Sequence, residues 1–158
     1  MLYDQILVRF GDLTLKGKNQ KVFLRSLYNL VRVKMEGLNV SIDNQYDRIF
    51  IHLQEEDHTK VIERLKLVSG ISSYSLVVKC NDDIEEIKKV SLELMEDVVK
   101  SNKTFKVNTK RSNKNYPIPS MEVTKLVSAH VLRNHKLLTV DVHNPEVSLN
   151  IEVRRDAC

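Results

Sequence analysis

Apolar residues recur along this chain in two rhythms, and the rhythm changes at short intervals. Gln5 to Phe10 holds Ile6, Leu7 and Val8 in one short run, the mark of a buried strand. Gly11 and Asp12 break it. Gly17 through Met35 reads as a helix, with Phe23, Leu27, Leu30 and Val31 spaced to form one face. Gly37 follows where a C-terminal cap is expected. Val40 and Ile42 alternate with Ser41 and Asp43, giving a half-exposed strand. Asn44-Gln45-Tyr46-Asp47 reads as a turn, and Ile49, Ile51 and Leu53 alternate again as a hairpin partner. Asp57 or Thr59 is placed to cap a helix carrying Val61, Ile62, Leu65 and Leu67. Ser69-Gly70 ends that helix, and Tyr74 to Lys79 makes one more strand.

The second half opens on Asn81-Asp82-Asp83, a capping cluster, and a helix with Ile84, Ile87, Val90, Leu94 and Val98. Its acids lie early and Lys100 lies late, which suits the helix dipole. Thr104 to Thr109 alternates Phe105 and Val107 against Lys106 and Asn108 and is a strand. Lys110 to Ser120 reads as a polar loop, and Ser120 as a cap for a helix through Val127, Val131 and Leu132. Thr139 to Val142 makes a short strand, His143-Asn144-Pro145 a turn, and Val147, Leu149, Ile151 and Val153 a strictly alternating final strand. The first half thus runs strand, helix, strand, strand, helix, strand, a ferredoxin-like order. The expected class is α+β: a ferredoxin-like βαββαβ domain over 1–77 and a mixed α/β domain over 78–158, with a profile-style start for the second near 60.

No apolar run approaches the roughly 20 residues that span a bilayer. The first residues lack a basic segment followed by an apolar one, so a cytoplasmic location is the default expectation and no membrane partner is expected. The two cysteines, Cys80 and Cys158, form no Cys-x-x-Cys, which disfavours a disulfide framework or zinc. The four glycines are isolated and make no phosphate cradle. His52, His58, His130, His135 and His143 are dispersed; ordinary structural or surface roles fit them better than metal or acid–base work. No catalytic residue and no metal site emerges.

The net charge is only +4, but its distribution matters more than its size. From Leu13 to Met35 the basic residues Lys16, Lys18, Lys21, Arg25, Arg32 and Lys34 meet no acid. From Asn102 to Met121 Lys103, Lys106, Lys110, Arg111 and Lys114 meet none either. Two such windows suggest a polyanion partner. On the first helix Lys18, Lys21, Arg25 and Arg32 project within about 60° of one another, nearly opposite Phe23, Leu27 and Leu30; a plainly solvated face is the alternative. In the second window Lys110, Arg111 and Lys114 can neutralise phosphates. Asn115 can bond sugars and Tyr116 can stack on an unpaired base; a charged surface loop is the alternative there. The two windows are expected to form one surface across both halves.

At these residues the chain resembles a known family. Phe10-Gly11-Asp12-Leu13-Thr14-Leu15-Lys16-Gly17-Lys18-Asn19 followed by Phe23 is similar to the opening of the ThiI family. Phe105-Lys106-Val107-Asn108-Thr109-Lys110-Arg111-Ser112, Tyr116-Pro117 and Ser120-Met121-Glu122 resemble the centre of its THUMP domain. Asp141-Val142-His143-Asn144-Pro145 and Ile151-Glu152-Val153-Arg154 resemble its closing strands. Phe10 and Asp12 stand where Tyr and Glu are usual. The resemblance implies the tRNA-binding portion of a tRNA sulfurtransferase that makes 4-thiouridine at tRNA position eight. It implies contact with the acceptor stem and CCA tail, a homodimeric parent, a cysteine desulfurase as sulfur donor and, in some members, a role in thiamine thiazole synthesis. ATP would act at a Ser-Gly-Gly-x-Asp-Ser loop, which these 158 residues do not contain, so no cofactor is expected here and the chain alone is expected to be inactive.

Three other readings stay open. A THUMP module of another tRNA-modifying enzyme shares the second half, though Leu15-Lys16-Gly17-Lys18-Asn19 speaks against it. A free-standing ferredoxin-like enzyme such as an acylphosphatase needs an Arg in the loop after the first strand, where Lys16 and Lys18 stand instead. A small-ligand regulatory module rests on fold analogy alone.

Overall fold

A computed structural model of the chain describes residues 3–11, 18–45 and 48–155, with only the backbone of Lys18. It separates into two compact units that divide between Val78 and Lys79.

The first unit contains β1 (Gln5–Phe10), α1 (Lys18–Lys34), β2 (Ser41–Gln45), β3 (Arg48–His52), α2 (His58–Leu65) and β4 (Ile71–Val77). The strands form one antiparallel sheet in the order β2-β3-β1-β4, the ferredoxin-like arrangement. β1 is central because its apolar run can be covered on both flanks. Ile6 lies opposite Ile51 and Val8 opposite Ile49, and all four are fully buried. Leu27 and Val31 of α1 and Val61 and Leu65 of α2 complete the buried set. Each such side chain contributes about 1.5–3 kcal/mol when withdrawn from water.

Local chemistry sets the helix ends. Asp57 caps α2, its carboxylate accepting from the Thr59 amide at 2.9 Å. Arg64 of α2 reaches across to the end of α1, where its Nη1 donates to the carbonyls of Lys34 and Glu36 at 3.0 and 2.6 Å. Those carbonyls have no partner within the helix and would otherwise need water. Gly70, before β4, has φ +95°, and a Cβ there would lie 2.7 Å from Leu27 Cδ2. The turn therefore requires glycine both for its dihedral and for the space that Leu27 fills.

Several expectations change in this unit, among them Leu67, which lies beyond α2 and is largely exposed. Phe23 and Leu30 are not in the core: they are 36% and 48% exposed, and Val22 and Val33 beside them are 65% and 55% exposed. The buried row is Leu27, Val31 and Met35. Steps of four residues drift about 40° around a helix, so Phe23 at the start of that row has rotated away from the core arc. Asn44 and Gln45 end β2 rather than forming a turn, with Gln45 opposite Arg48; Tyr46 and Asp47 lie outside the described residues. β4 begins at Ile71, three residues before the expected Tyr74.

The second unit contains α3 (Ile84–Val98), β5 (Lys103–Arg111), α4 (Ser120–Asn134), β6 (Leu138–Val140) and β7 (Val147–Val153). Asp83 caps α3 by accepting from the Glu85 and Glu86 amides, each at 3.2 Å. The sheet is parallel, in the order β6-β5-β7. β6 pairs with Lys103 to Phe105 and β7 with Phe105 to Arg111. Because the flanking strands use successive stretches of β5, the short segment 141–146 suffices to join them. The core holds Phe105, Val107, Leu149, Ile151 and Val153 from the sheet, Val123, Val127 and Val131 from α4, and Ile87 and Met95 from α3.

Here too the structure corrects the sequence reading. Ile87, Ser91 and Met95 form the buried row of α3, whereas Val98 is 45% exposed. Ser120 is the first helical residue of α4 and makes no capping bond; Pro119 occupies the N-cap position. β5 runs on through Lys110 and Arg111, which therefore lie on a strand and not in a loop. Among the described residues no helix is long and apolar enough to cross a membrane.

Candidate nucleic-acid interface

The cations of the first window lie on α1. Lys21, Arg25 and Arg32 are exposed on one face of the helix, as their spacing requires. Lys18 opens the helix, and Lys16 falls outside the described residues. α1 has no acid in its first turn and carries Arg32 and Lys34 in its last, so the helix itself supplies no counter-charge to the stripe.

The second window divides between exposed and structural positions. Lys110, Lys114 and Asn115 are exposed. Tyr116 is not: it is 7% exposed, packs in the core of its unit, and its hydroxyl donates to the Asp82 carbonyl at 2.6 Å. Its ring offers no face for an unpaired base, and the stacking role expected from sequence is withdrawn for that reason. Arg111 is half-buried, and its Nη1 donates to the carbonyls of Tyr116 at 2.8 Å and Ile118 at 3.3 Å. It braces the segment after β5 rather than standing free. The amides of Ser112 and Asn113 donate to the Val153 carbonyl, and the Asn115 amide to Asn113 Oδ1 at 3.1 Å. The segment that presents Lys114 and Asn115 is thus fixed to β7 and to itself.

Side chains that no local window could associate meet on the sheet. Register places Lys106 beside Ser148, Asn108 beside Asn150 and Lys110 beside Glu152, all on the face turned away from Phe105, Val107, Leu149 and Ile151. Asn108 Nδ2 donates to Asn150 Oδ1 at 3.2 Å, and Arg154 pairs with Glu152 at 3.0 Å. Asn108 falls within the second basic window, whereas Ser148 and Asn150 show in the sequence only as the polar half of an alternation. The signal lay in two strands whose register cannot be known before they pair.

The acids near the start of β5 serve the fold. Glu146 Oε2 accepts from the Thr104 amide at 3.0 Å, and Oε1 lies 3.5 Å from Lys103 Nζ. The Thr104 amide, then Lys103, hold the Glu146 carboxyl below its ordinary range. Asp141 accepts from the amides of Asn144 and His143, which lower it likewise. The histidines are apart: His135 is buried at the end of α4, His58 stacks edge-on with Tyr3 at 4.8 Å, and His52 Nδ1 meets Gln5 Nε2 at 2.9 Å. Among the described residues no group of three His, Cys, Asp or Glu could hold a metal ion.

Comparison with known proteins places this geometry. Residues 5–75 match the model of the ThiI ferredoxin-like domain and residues 81–158 that of the THUMP domain. The chain is 40% identical over 157 residues to a probable tRNA sulfurtransferase of Geobacillus sp. strain WCH70, covering 99% of this chain and 39% of that protein. It is 44% identical over 151 residues to a probable tRNA sulfurtransferase of Acholeplasma laidlawii strain PG-8A, covering 96% of this chain and 37% of that protein. The chain therefore spans about two fifths of the length of these relatives. Among solved structures, a 4-thiouridine synthetase in complex with RNA and bound ATP superposes with a TM-score of 0.73 at 31% identity, over 99% of this chain and 40% of that one. TrmN from Thermus thermophilus, at 16% identity and a TM-score of 0.61 over 97% of this chain and 43% of that one, shares the fold alone. With one domain model on each unit and this likeness over nearly its whole length, the chain is the ferredoxin-like and THUMP region of the ThiI family and belongs to that family.

Proposed function

We propose that this chain is the tRNA-holding part of an ATP-dependent tRNA sulfurtransferase that makes 4-thiouridine at tRNA position eight, and that it grips the acceptor stem and the CCA end. The observation that carries the reading is the likeness, over 99% of the chain, to a 4-thiouridine synthetase solved with RNA. The exposed cations of α1 and of β5 support it, because phosphate contacts supply affinity with little sequence information.

The residues described do not fit ATP. A glycine-rich phosphate cradle needs closely spaced glycines whose loop amides are free. Gly11 donates its amide to the Gly70 carbonyl, Gly70 is filled by Leu27, and Gly37 stands alone after α1. In this reading ATP, adenylation and sulfur transfer belong to other parts of such an enzyme. A homodimer and a cysteine desulfurase as sulfur donor are part of the same proposal. The test is a binding titration of the chain with a tRNA transcript and the same transcript lacking its CCA tail. Tighter binding of the tailed form is expected; no binding of either form would overturn the reading.

A further inference from the structure

The second unit leaves one face of a parallel sheet polar. Parallel sheets are ordinarily covered on both faces and read as continuous apolar runs. Here α4 and the core residues cover one face, while the other carries Lys106, Asn108 and Lys110 on β5 and Ser148, Asn150 and Glu152 on β7. Asn108, Lys110, Ser148 and Asn150 are exposed. We infer that this face is a binding surface for the ribose–phosphate backbone of RNA, with Lys106 and Lys110 meeting phosphates and the Asn108–Asn150 amide pair meeting ribose hydroxyls.

The chemistry of the face favours that partner. Lys106 and Lys110 are four residues apart on one strand, about 13 Å at 3.3 Å per residue, and neither is in an ion pair among the described residues. Of the six residues named, one is an acid, Glu152, and it is paired by Arg154 at 3.0 Å. Between the lysines, the bond from Asn108 to Asn150 uses one donor and one acceptor of two side-chain amides. Each amide carries two donors and an acceptor with two lone pairs. The pair still presents both donors and acceptors to solvent, matching a 2′-hydroxyl, which donates and accepts. No aromatic side chain lies on these two rows, so the face has no platform for stacking bases and would read backbone rather than sequence. A protein partner is disfavoured, because interface centres are apolar and depleted of lysine.

This inference rests on the RNA-binding reading above, and the experiment separates the two. The 158-residue chain is titrated with an RNA acceptor-stem hairpin ending in CCA and with its all-deoxy counterpart, across a range of salt. Lys106→Ala with Lys110→Ala is expected to weaken both ligands and to reduce the slope of log affinity against log salt by roughly 1.4–1.8, at about 0.7–0.9 per phosphate no longer neutralised. Asn150→Ala is expected to leave the slope unchanged and to cut the preference for RNA over DNA by roughly 2–10-fold, the range for one net hydrogen bond. Melting curves matching the wild type confirm that these substitutions leave the fold intact. Lys21→Ala with Arg25→Ala, on the other unit, is the control. If that control weakens binding while both sheet-face variants bind as wild type does, RNA binding stands and the sheet face is overturned. If the unaltered chain binds neither ligand, the functional reading fails and takes the inference with it.

Discussion

Tyr116 shows how much a single side chain can mislead. On a segment with Lys114 and Asn115 it has the composition of a base-stacking site, yet its hydroxyl is bonded to Asp82 and its ring is in the core. Removing the hydroxyl should therefore cost stability and not binding. Tyr116→Phe is expected to lower unfolding free energy by about 1 kcal/mol, the net worth of one hydrogen bond, with tRNA affinity unchanged. Urea denaturation and a binding titration on the same variant check both halves. Gly70 makes a similar case from backbone chemistry. Its φ of +95° and the Leu27 side chain 2.7 Å from where a Cβ would lie leave Gly70→Ala both strained and crowded. A destabilisation of about 1 kcal/mol or more is expected in the same denaturation assay. The glycine was visible in the sequence as a helix stop; that Leu27, 43 positions earlier, fills its space was not.

At the scale of elements, legibility followed the cleanness of the pattern. The strand Val147–Val153 was read to the residue because its alternation is strict and its buried positions fall in phase. α1 was placed but its buried face was not. Val22, Phe23, Leu30 and Val33 make an apolar flank beside the true core row, and periodicity alone cannot say which arc of a helix meets a sheet. The two arcs should respond differently: Leu27→Ala should cost about 2–5 kcal/mol and Leu30→Ala within about 0.5 kcal/mol. Equal effects in chemical denaturation would place Leu30 in the core after all. β5 was cut short because Lys110 and Arg111 look like loop residues, and only pairing with β7 holds them in the strand. The joint between β5 and β7 also carries a pH dependence. Glu146, lowered by the Thr104 amide, has a folded-state value below its ordinary 4.5. Its contribution is complete above about pH 4.5 and is lost as pH falls through the lower folded value. Glu146→Gln should flatten the acid limb of a stability–pH profile below that point and leave the neutral limb almost parallel to the wild type.

At the scale of the whole molecule, charge was the feature read most directly from sequence, and its use was the least. The windows of basic residues are real surface: Lys21, Arg25 and Arg32 stand exposed on α1, and Lys110 and Lys114 on the second unit. What sequence could not supply was the sorting, which gave Arg111 to the Tyr116 and Ile118 carbonyls and gathered Asn108 and Asn150 onto one face. Windows sum charge along the chain, whereas a ligand on the sheet face would meet it across paired strands 42 residues apart. Salt dependence offers a measurement blind to where each cation lies, because it counts phosphates neutralised. If the α1 stripe meets RNA, Lys21→Ala, Arg25→Ala and Arg32→Ala together should reduce the slope of log affinity against log salt by roughly 2–3, at about 0.7–0.9 for each phosphate that goes unneutralised. A purely solvated stripe predicts a change near zero, since exposed charges that touch no phosphate release no counterions on binding. Because the three residues are exposed, their removal should move stability by no more than about 0.5 kcal/mol apiece. A fall in slope with an unmoved melting curve would therefore place the first unit, and not the THUMP domain alone, in the grip on tRNA.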